Sequence, residues 1–148
     1  MISFVVPGPP YGKARPRHGK YGMYDPASNA EYESAVKAAY LEARGMYDPT
    51  TEPIRILVLS YHAIPKSALR KRTEDKIKEG EIFTGKPDAD NILKSVMDGL
   101  NKTAYIDDSQ VWSACCERCY SKNPRVEVFI ISKGECVNEH RIQMSVDQ

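Results

Sequence analysis

Two pairs of aspartates lie on either side of one predicted helix in this sequence. Asp88 and Asp90 are one residue apart just before the helix, and the pair Asp107 and Asp108 follows it. Carboxylates that meet in space repel one another, and a hard cation such as Mg²⁺ relieves the repulsion because it prefers carboxylate oxygens. The spacing therefore predicts metal-assisted hydrolysis of a phosphate ester.

Each of these acids also has an ordinary structural explanation. An aspartate before a helix commonly caps its N-terminus, and Asp107 and Asp108 are typical acids of a turn. Two aspartates with one spacer exceed the need of a single cap, and on an extended approach both side chains point the same way. The pair Asp88 and Asp90 thus favours a metal site, whereas neither Asp107 nor Asp108 alone decides between the two explanations.

Lys94 is predicted to share a helical face with two of the aspartates. It follows Asp90 by four residues and precedes Asp98 by four. One interpretation is an ion-pair ladder worth about 0.3 kcal/mol per pair. The other is that the Lys94 ammonium binds the scissile phosphate or stabilises charge that develops on it.

Charge is unevenly distributed although the net charge is only +1. Residues 1–24 carry four basic and no acidic side chains, residues 66–78 carry six basic and two acidic ones, and residues 88–108 hold five aspartates. Basic segments around an acidic centre suit a polyanion bound beside a metal. For residues 66–78 alone, an ordinary solvated surface is the better interpretation.

The hydrophobic pattern predicts one α+β domain with helices packed on a mixed β-sheet, in the order β-α-β-(α)-α-β-β. The length of 148 residues suits a single domain, with a core of about residues 1–132 and a loosely held tail at 133–148. Strands are predicted at 1–7, 54–63, 109–120 and 124–132, and helices at 28–45, 66–79 and 91–103.

Several local features refine this prediction. Ser28 is expected to cap the first helix and Gly45 to end it. Residues 8–24 are too rich in glycine and proline for regular structure. The short turn at residues 121–123 predicts that the last two strands form a hairpin.

The cysteines Cys115, Cys116 and Cys119 fall on one predicted strand, where alternation puts Cys115 and Cys119 on the face of Val111 and Cys116 on the other. The fourth, Cys136, is in the tail, and neither a second Cys-x-x-Cys nor a histidine pair accompanies them. Buried reduced thiols are therefore favoured over structural zinc. No apolar run is long enough to cross a bilayer and the N-terminus lacks a secretory pattern, so a cytoplasmic location without a membrane partner is expected.

The segment KPDADNILKSVMDGLNKTAYIDDSQV at residues 86–111 resembles the signature of the RusA family of Holliday junction resolvases. That signature is D-x-D-N-x-x-K, a helix, and D-D-x-Q-[VI] at the start of a strand. The matching residues are Asp88, Asp90, Asn91, Lys94, Asp107, Asp108, Gln110 and Val111. The segment PPYGKARPR at residues 9–17 also resembles the early basic loop of the family, and the resemblance in element order spans roughly residues 2–132.

The resemblance implies a homodimeric, Mg²⁺-dependent endonuclease that makes paired symmetric nicks in four-way DNA junctions during recombination and repair, with Mn²⁺ able to substitute. By the family pattern, Asp88, Asp90 and Asp108 are the essential carboxylates and metal ligands, and Lys94 is the essential lysine. Supporting roles are expected for Asp107, Asn91 and Asp98, and DNA contacts for Lys13, Arg15, Arg17 and Lys86. Some members carry a basic residue directly before the first aspartate, whereas this chain has Pro87 there and Lys86 one step back.

Two other functions are compatible with these residues. One is a non-catalytic accessory protein that binds branched DNA, although a pure binder gains nothing from acids that face phosphates. The other is a metal-dependent nuclease that acts on other nucleic-acid structures, which the sequence does not separate from a resolvase. Tyr11, Tyr21 and Tyr24 near the basic loop are candidates to stack on opened bases, with purely structural roles as the alternative.

Overall fold

A four-stranded mixed sheet carries two long helices on one face and confirms the predicted α+β class. The computed structural model describes residues 1–70, 72 and 76–133. Its elements are β1 (Ile2–Pro7), β2 (Arg17–Gly19), β3 (Gly22–Tyr24), α1 (Ala27–Arg44), β4 (Ile54–Ala63), α2 (Lys66–Leu69), α3 (Ala89–Leu100), β5 (Val111–Ser121) and β6 (Arg125–Ser132). The predicted tail lies outside the described residues except for Lys133.

The strand order in the sheet is β1-β6-β4-β5. Strand β4 pairs antiparallel with β6 and parallel with β5, and β1 pairs antiparallel with β6. Alternate residues of β4 from Ile54 to His62 are buried beneath the helices. The central position that its apolar sequence predicts is therefore confirmed.

The predicted hairpin of the last two strands is wrong, because β4 lies between β5 and β6. Residues 122–124 cross the end of β4 to connect them. Two strand spacings amount to about 10 Å, which three extended residues at about 3.3 Å each can span. A connection of this length is thus compatible with both topologies, and β4 gains ladder hydrogen bonds on both of its edges.

A bulge at the start of β5 changes which side chains face the core. Ile54 pairs with Val111 but Arg55 pairs with Ser113, so Trp112 is an extra residue. One extra residue reverses the alternation of all that follow. Val111 and Cys116 consequently both pack against the core, and the prediction that Val111 shares a face with Cys115 and Cys119 is wrong.

The thiols on β5 are free within the described part of the chain. Burial raises the pKa of Cys116 to about 11. This thiol is therefore protonated and unreactive at neutral pH. Cys136 lies outside the described residues.

Helix α1 begins differently from the prediction. Pro26 occupies the N-cap position with no side-chain cap, and the Ser28 hydroxyl lies inside the helix, 2.8 Å from the hydroxyl of Tyr11. The predicted Ser28 cap is therefore wrong, because this side chain contacts a distant loop. Gly45 ends the helix as predicted, with φ of 84° and its N–H bonded to the Leu41 carbonyl at 2.7 Å.

The other predicted helices differ mainly in their ends. Helix α2 covers only Lys66–Leu69, and Lys71 with residues 73–75 of the predicted helix lies outside the described residues. Residues 8–24 contain the β2–β3 hairpin where no regular structure was predicted. Gly22, at φ of 114°, adopts a left-handed conformation that suits a tight hairpin turn.

Helices α1 and α3 pack closely together on the sheet. Val36 of α1 and Ile92, Val96 and Leu100 of α3 are fully buried. A Cβ on Gly99 would lie 2.8 Å from the Val36 Cβ, so glycine permits this close approach. The packing leaves Asp90 in the first turn of α3 exposed. Among the described residues, no helix is long and apolar enough to cross a membrane.

Candidate active site at the start of helix α3

Asp88 and Asp90 lie within one turn at the start of α3. Asp88 occupies the N-cap position with φ of −69° and ψ of 156°, yet its side chain makes no capping hydrogen bond. Its carboxylate is 45% exposed, and Asp90 in the first helical turn is exposed. The capping explanation for Asp88 is therefore not realised, and both carboxylates are accessible.

Two lysines accompany these carboxylates. The Lys86 ammonium donates to both oxygens of Asp88, at 2.8 and 2.7 Å. Lys94 is exposed, and nothing in the described part of the chain forms an ion pair or hydrogen bond with it. The ion-pair ladder through Asp90, Lys94 and Asp98 is thus absent among these residues, which leaves the Lys94 ammonium available for a phosphate.

The N-terminal loop, residues 8–16, lies against the first turns of α3. The Lys13 backbone N–H donates to the Asn91 carbonyl at 3.0 Å, and the Ser95 hydroxyl donates to the Tyr11 carbonyl at 2.7 Å. A Cβ on Gly12 would lie only 2.4 Å from the Cβ of Pro87. Glycine at this position is therefore required for the loop to reach the residues beside Asp88.

Lys13, a predicted DNA contact, is placed in a partly buried ion pair. Its ammonium contacts Asp98 and lies 3.2 Å from Glu33. The hydrogen bond with Asp98 is the largest of the effects that raise the pKa of Lys13. Asp98 is thereby occupied by Lys13, whereas Arg15 and Arg17 remain exposed.

The second aspartate pair is engaged in local hydrogen bonds. Asp107 accepts from the Ser109 N–H at 3.1 Å and caps a short 3-10 turn, Asp108–Gln110. The Asp107 N–H in turn donates to the side-chain oxygen of Gln110 at 2.9 Å. The Ser109 hydrogen bond lowers the pKa of Asp107. Asp107 therefore has the structural role that turn acids commonly have.

Asp108 contacts the buried residue Tyr105. The Tyr105 hydroxyl lies 3.1 Å from Asp108 Oδ1 and 2.7 Å from the Met97 carbonyl oxygen. Burial, followed by the charge of Asp108, raises the pKa of Tyr105. This contact holds Asp108 beside Met97, in the second half of α3. Met97 follows Asp90 by seven residues, which corresponds to about 10 Å along a helix.

Among residues 1–70, 72 and 76–133, no three histidine, cysteine, aspartate or glutamate side chains are arranged to hold one metal ion. The predicted catalytic, metal-binding and DNA-binding roles of the site residues are not tested by this geometry and stay predictions.

The donor set at the start of α3 nevertheless fits Mg²⁺. This ion is usually held by one or two carboxylates together with substrate phosphates and water, without an all-protein cage. Asp88 and Asp90 supply two accessible carboxylates, and the Asp88 oxygens already bind a cation, the Lys86 ammonium. The donor set fits a two-carboxylate Mg²⁺ site, and the described residues form no three-carboxylate cage.

Arg118 of β5 is a site residue that the sequence did not single out. Its Nη1 donates to the carbonyls of Gly85 and Pro87, at 2.7 and 3.1 Å, directly before Asp88. An arginine on a core-facing strand position would signal a buried partner. The bulge at Trp112 concealed which face Arg118 occupies.

Comparisons with known proteins identify the family of this chain. A family model described as Endodeoxyribonuclease RusA matches residues 7–131. The chain is also 38% identical over 135 residues to "Uncharacterized protein YqaN" of Bacillus subtilis (strain 168). This alignment covers 87% of the present chain and 94% of that protein. The family match contains both aspartate pairs, Lys94 and Arg118. The chain therefore belongs to the RusA endodeoxyribonuclease family.

Proposed function

We propose that the protein is a Mg²⁺-dependent endodeoxyribonuclease that resolves four-way DNA junctions by paired symmetric nicks, as a cytoplasmic homodimer in recombination and repair. The observation that carries this proposal is the pair of accessible carboxylates at the start of α3 beside Lys94, which has no ion-pair partner among the described residues, in a chain of this family. Carboxylates facing a phosphate backbone favour catalysis over simple binding, because they need a cation to be compatible with DNA.

The residues have distinct tasks in this proposal. Asp88 and Asp90 hold the cation, for which Mn²⁺ is an alternative. When bound, Mg²⁺ supplies charge neutralisation and activation of water for in-line displacement. Lys94, one turn further along α3, presents its ammonium to the scissile phosphate. Asp108 is the proposed third ligand, because the Tyr105 hydroxyl contacts its Oδ1 and a carboxylate can bind a cation through its other oxygen.

Exposed side chains between residues 15 and 21 are suited to DNA. Arg15 and Arg17 offer positive charge to phosphates, which predicts salt-dependent affinity. Tyr21 at the tip of the β2–β3 hairpin is 95% exposed, and the Lys20 ammonium lies 5.5 Å from its ring centre. Tyr21 is thus available to stack on a base, whereas the Tyr11 hydroxyl donates to Asn29 at 2.6 Å and serves the fold.

The proposed dimer follows from the symmetry of the substrate. A four-way junction contains strands related by a two-fold axis, and its resolution requires two equivalent nicks. An isologous dimer carries two copies of one site related by the same symmetry.

The test is a cleavage assay on a labelled synthetic four-way junction, with and without Mg²⁺. We expect paired symmetric nicks only when Mg²⁺ is present. The Asp90→Asn variant should shift the junction in a gel without cutting it. Normal cleavage by this variant would show that the acids are assigned wrongly.

A second candidate is a protein that binds branched DNA without cutting it. The absence of a three-carboxylate group among the described residues favours this candidate. A mobility shift without nicks in the same assay would support it. Preferential cutting of linear or flapped control DNA would instead indicate a nuclease with other substrates.

A further inference from the structure

Arg118 connects the segment before Asp88 to strand β5. Its side chain donates to the carbonyls of Gly85 and Pro87, and its own carbonyl accepts from the Phe83 N–H at 3.2 Å. One residue thus contacts the segment 83–87 at three points. The last of these points is the carbonyl of the peptide bond that joins Pro87 to Asp88.

Aromatic packing fixes the other end of this segment. The Phe83 ring stacks on His62 at 3.8 Å with an interplanar angle of 3°, and meets the Tyr120 ring edge-on at 5.1 Å. Burial, and then the charge of Arg118, lowers the pKa of His62 to about 4. His62 is therefore neutral at neutral pH and does not repel the guanidinium.

The Asp88 side chain has little else to hold it. It makes no capping bond, and its polar contact among the described residues is with Lys86, which is 83% exposed. A salt bridge to so exposed a lysine contributes little to rigidity. The direction of the Asp88 carboxylate must therefore come from the backbone that precedes it.

We propose that Arg118 is a positioning residue for Asp88. By holding the carbonyls of Gly85 and Pro87, it directs the Asp88 carboxylate and so sets the affinity of the pair Asp88 and Asp90 for a divalent cation. The inference rests on the proposed function for the identity of that cation.

The test measures Mn²⁺ binding to the DNA-free protein by titration calorimetry. Arg118→Met keeps an apolar stem against Phe83 but removes the donors, and Arg118→Lys keeps the charge without the guanidinium fork. The matched control is Arg125→Met, since Arg125 bonds Glu127 at 3.0 Å and covers the Tyr61 ring on the opposite face of the sheet.

We expect Arg118→Met to weaken Mn²⁺ binding by about 10- to 100-fold, as for the loss of other groups that orient metal ligands. Arg118→Lys should fall between this variant and the wild type, and Arg125→Met should bind normally. Electrostatics alone predicts tighter Mn²⁺ binding by Arg118→Met, because removal of a positive charge near two carboxylates favours a bound cation. A loss of affinity therefore reports on geometry.

Several outcomes would overturn the inference: unchanged or tighter binding by Arg118→Met, an equal loss in Arg125→Met, or no Mn²⁺ binding by the wild type. If Arg118→Met does not fold, Arg118→Lys carries the test, and normal affinity in that variant overturns the inference. Junction cleavage by the wild type is measured in parallel. Mn²⁺ binding without cleavage would refute the proposed function and leave the role of Arg118 in place.

Discussion

The two aspartate pairs consist of the same residue type but have different surroundings. At the start of α3, Asp88 makes no capping bond to the helix, and its polar contact among the described residues is with an exposed lysine. At the start of β5, Asp107 caps a turn and Asp108 contacts Tyr105. Bonds from backbone N–H groups and a buried hydroxyl hold a carboxylate in place, whereas an exposed lysine contributes little rigidity and leaves the carboxylate accessible.

The local backbone explains this difference. The turn at Asp107 offers a free N–H two residues later, which an aspartate side chain bonds readily. The start of α3 offers free N–H groups too, yet the segment before Asp88 is bonded to Arg118 and the side chain points to Lys86. The positive end of the helix still favours both acids without occupying their oxygens.

The largest expected difference appears when one negative charge is removed from each aspartate pair in turn. Asp90→Asn should lower the single-turnover rate of junction cleavage by at least about 100-fold, because it removes a proposed cation ligand. Asp107→Asn removes the same charge from the other pair and should keep most of the activity. An equal loss in both variants would contradict the distinction between the pairs.

Overpacking against α3 tests whether Mn²⁺ binding by Asp88 and Asp90 depends on the N-terminal loop. Gly12→Ala and Gly99→Ala each place a Cβ within 3.0 Å of a neighbour and should lower the free energy of unfolding by about 1–3 kcal/mol. Only Gly12→Ala displaces the loop beside Asp88, so only this variant should weaken Mn²⁺ binding. Weaker binding by Gly99→Ala as well would indicate a general effect of stability. Urea denaturation and calorimetry give the two quantities.

Tyr105→Phe tests the constraint on Asp108. Loss of the hydroxyl leaves the Met97 carbonyl and Asp108 without this partner and should lower the free energy of unfolding by about 1 kcal/mol. Cleavage should be maintained, because Asp108 becomes free to move. If Tyr105→Phe loses as much cleavage as Asp108→Asn, then Asp108 acts through Tyr105 and not as a ligand.

The smallest effect concerns the pH dependence of stability at Asp107. The Ser109 hydrogen bond lowers its folded-state pKa below the ordinary value of 3.8. The stabilisation is therefore present above pH 3.8 and is lost as the pH falls through the lower folded-state pKa. The difference in Tm between wild type and Asp107→Ala should be constant near neutral pH and shrink in acid. A difference that grows in acid would contradict this role.

Most elements of the fold could be predicted because their signals are local. Alternation and helical periodicity located the four sheet strands and both long helices. The errors arise from contacts between distant residues. Strand β4 separates β5 from β6, Trp112 reverses the alternation of β5, and Ser28 bonds Tyr11. None of these features can be predicted from a short window of neighbouring residues.

The candidate site was predictable to a similar extent. Asp88, Asp90 and Lys94 were identified from spacing, and the structure leaves all three accessible. The partners of Lys13 were not predictable, because Glu33 and Asp98 are 20 and 85 residues away in sequence. Arg118 was missed for the same reason, since its hydrogen bonds reach 31 and 33 residues back along the chain.

The order of residues alone carries the chemistry of the protein: acids with a lysine on one helical face, a basic loop and the class of fold. Which of those acids and bases are free to bind a ligand depended on folding, because an ion pair or hydrogen bond forms only where packing brings donor and acceptor within about 3 Å. That requirement leaves Asp88, Asp90 and Lys94 accessible, places Lys13 on Asp98, and assigns Arg118 to the backbone beside Asp88.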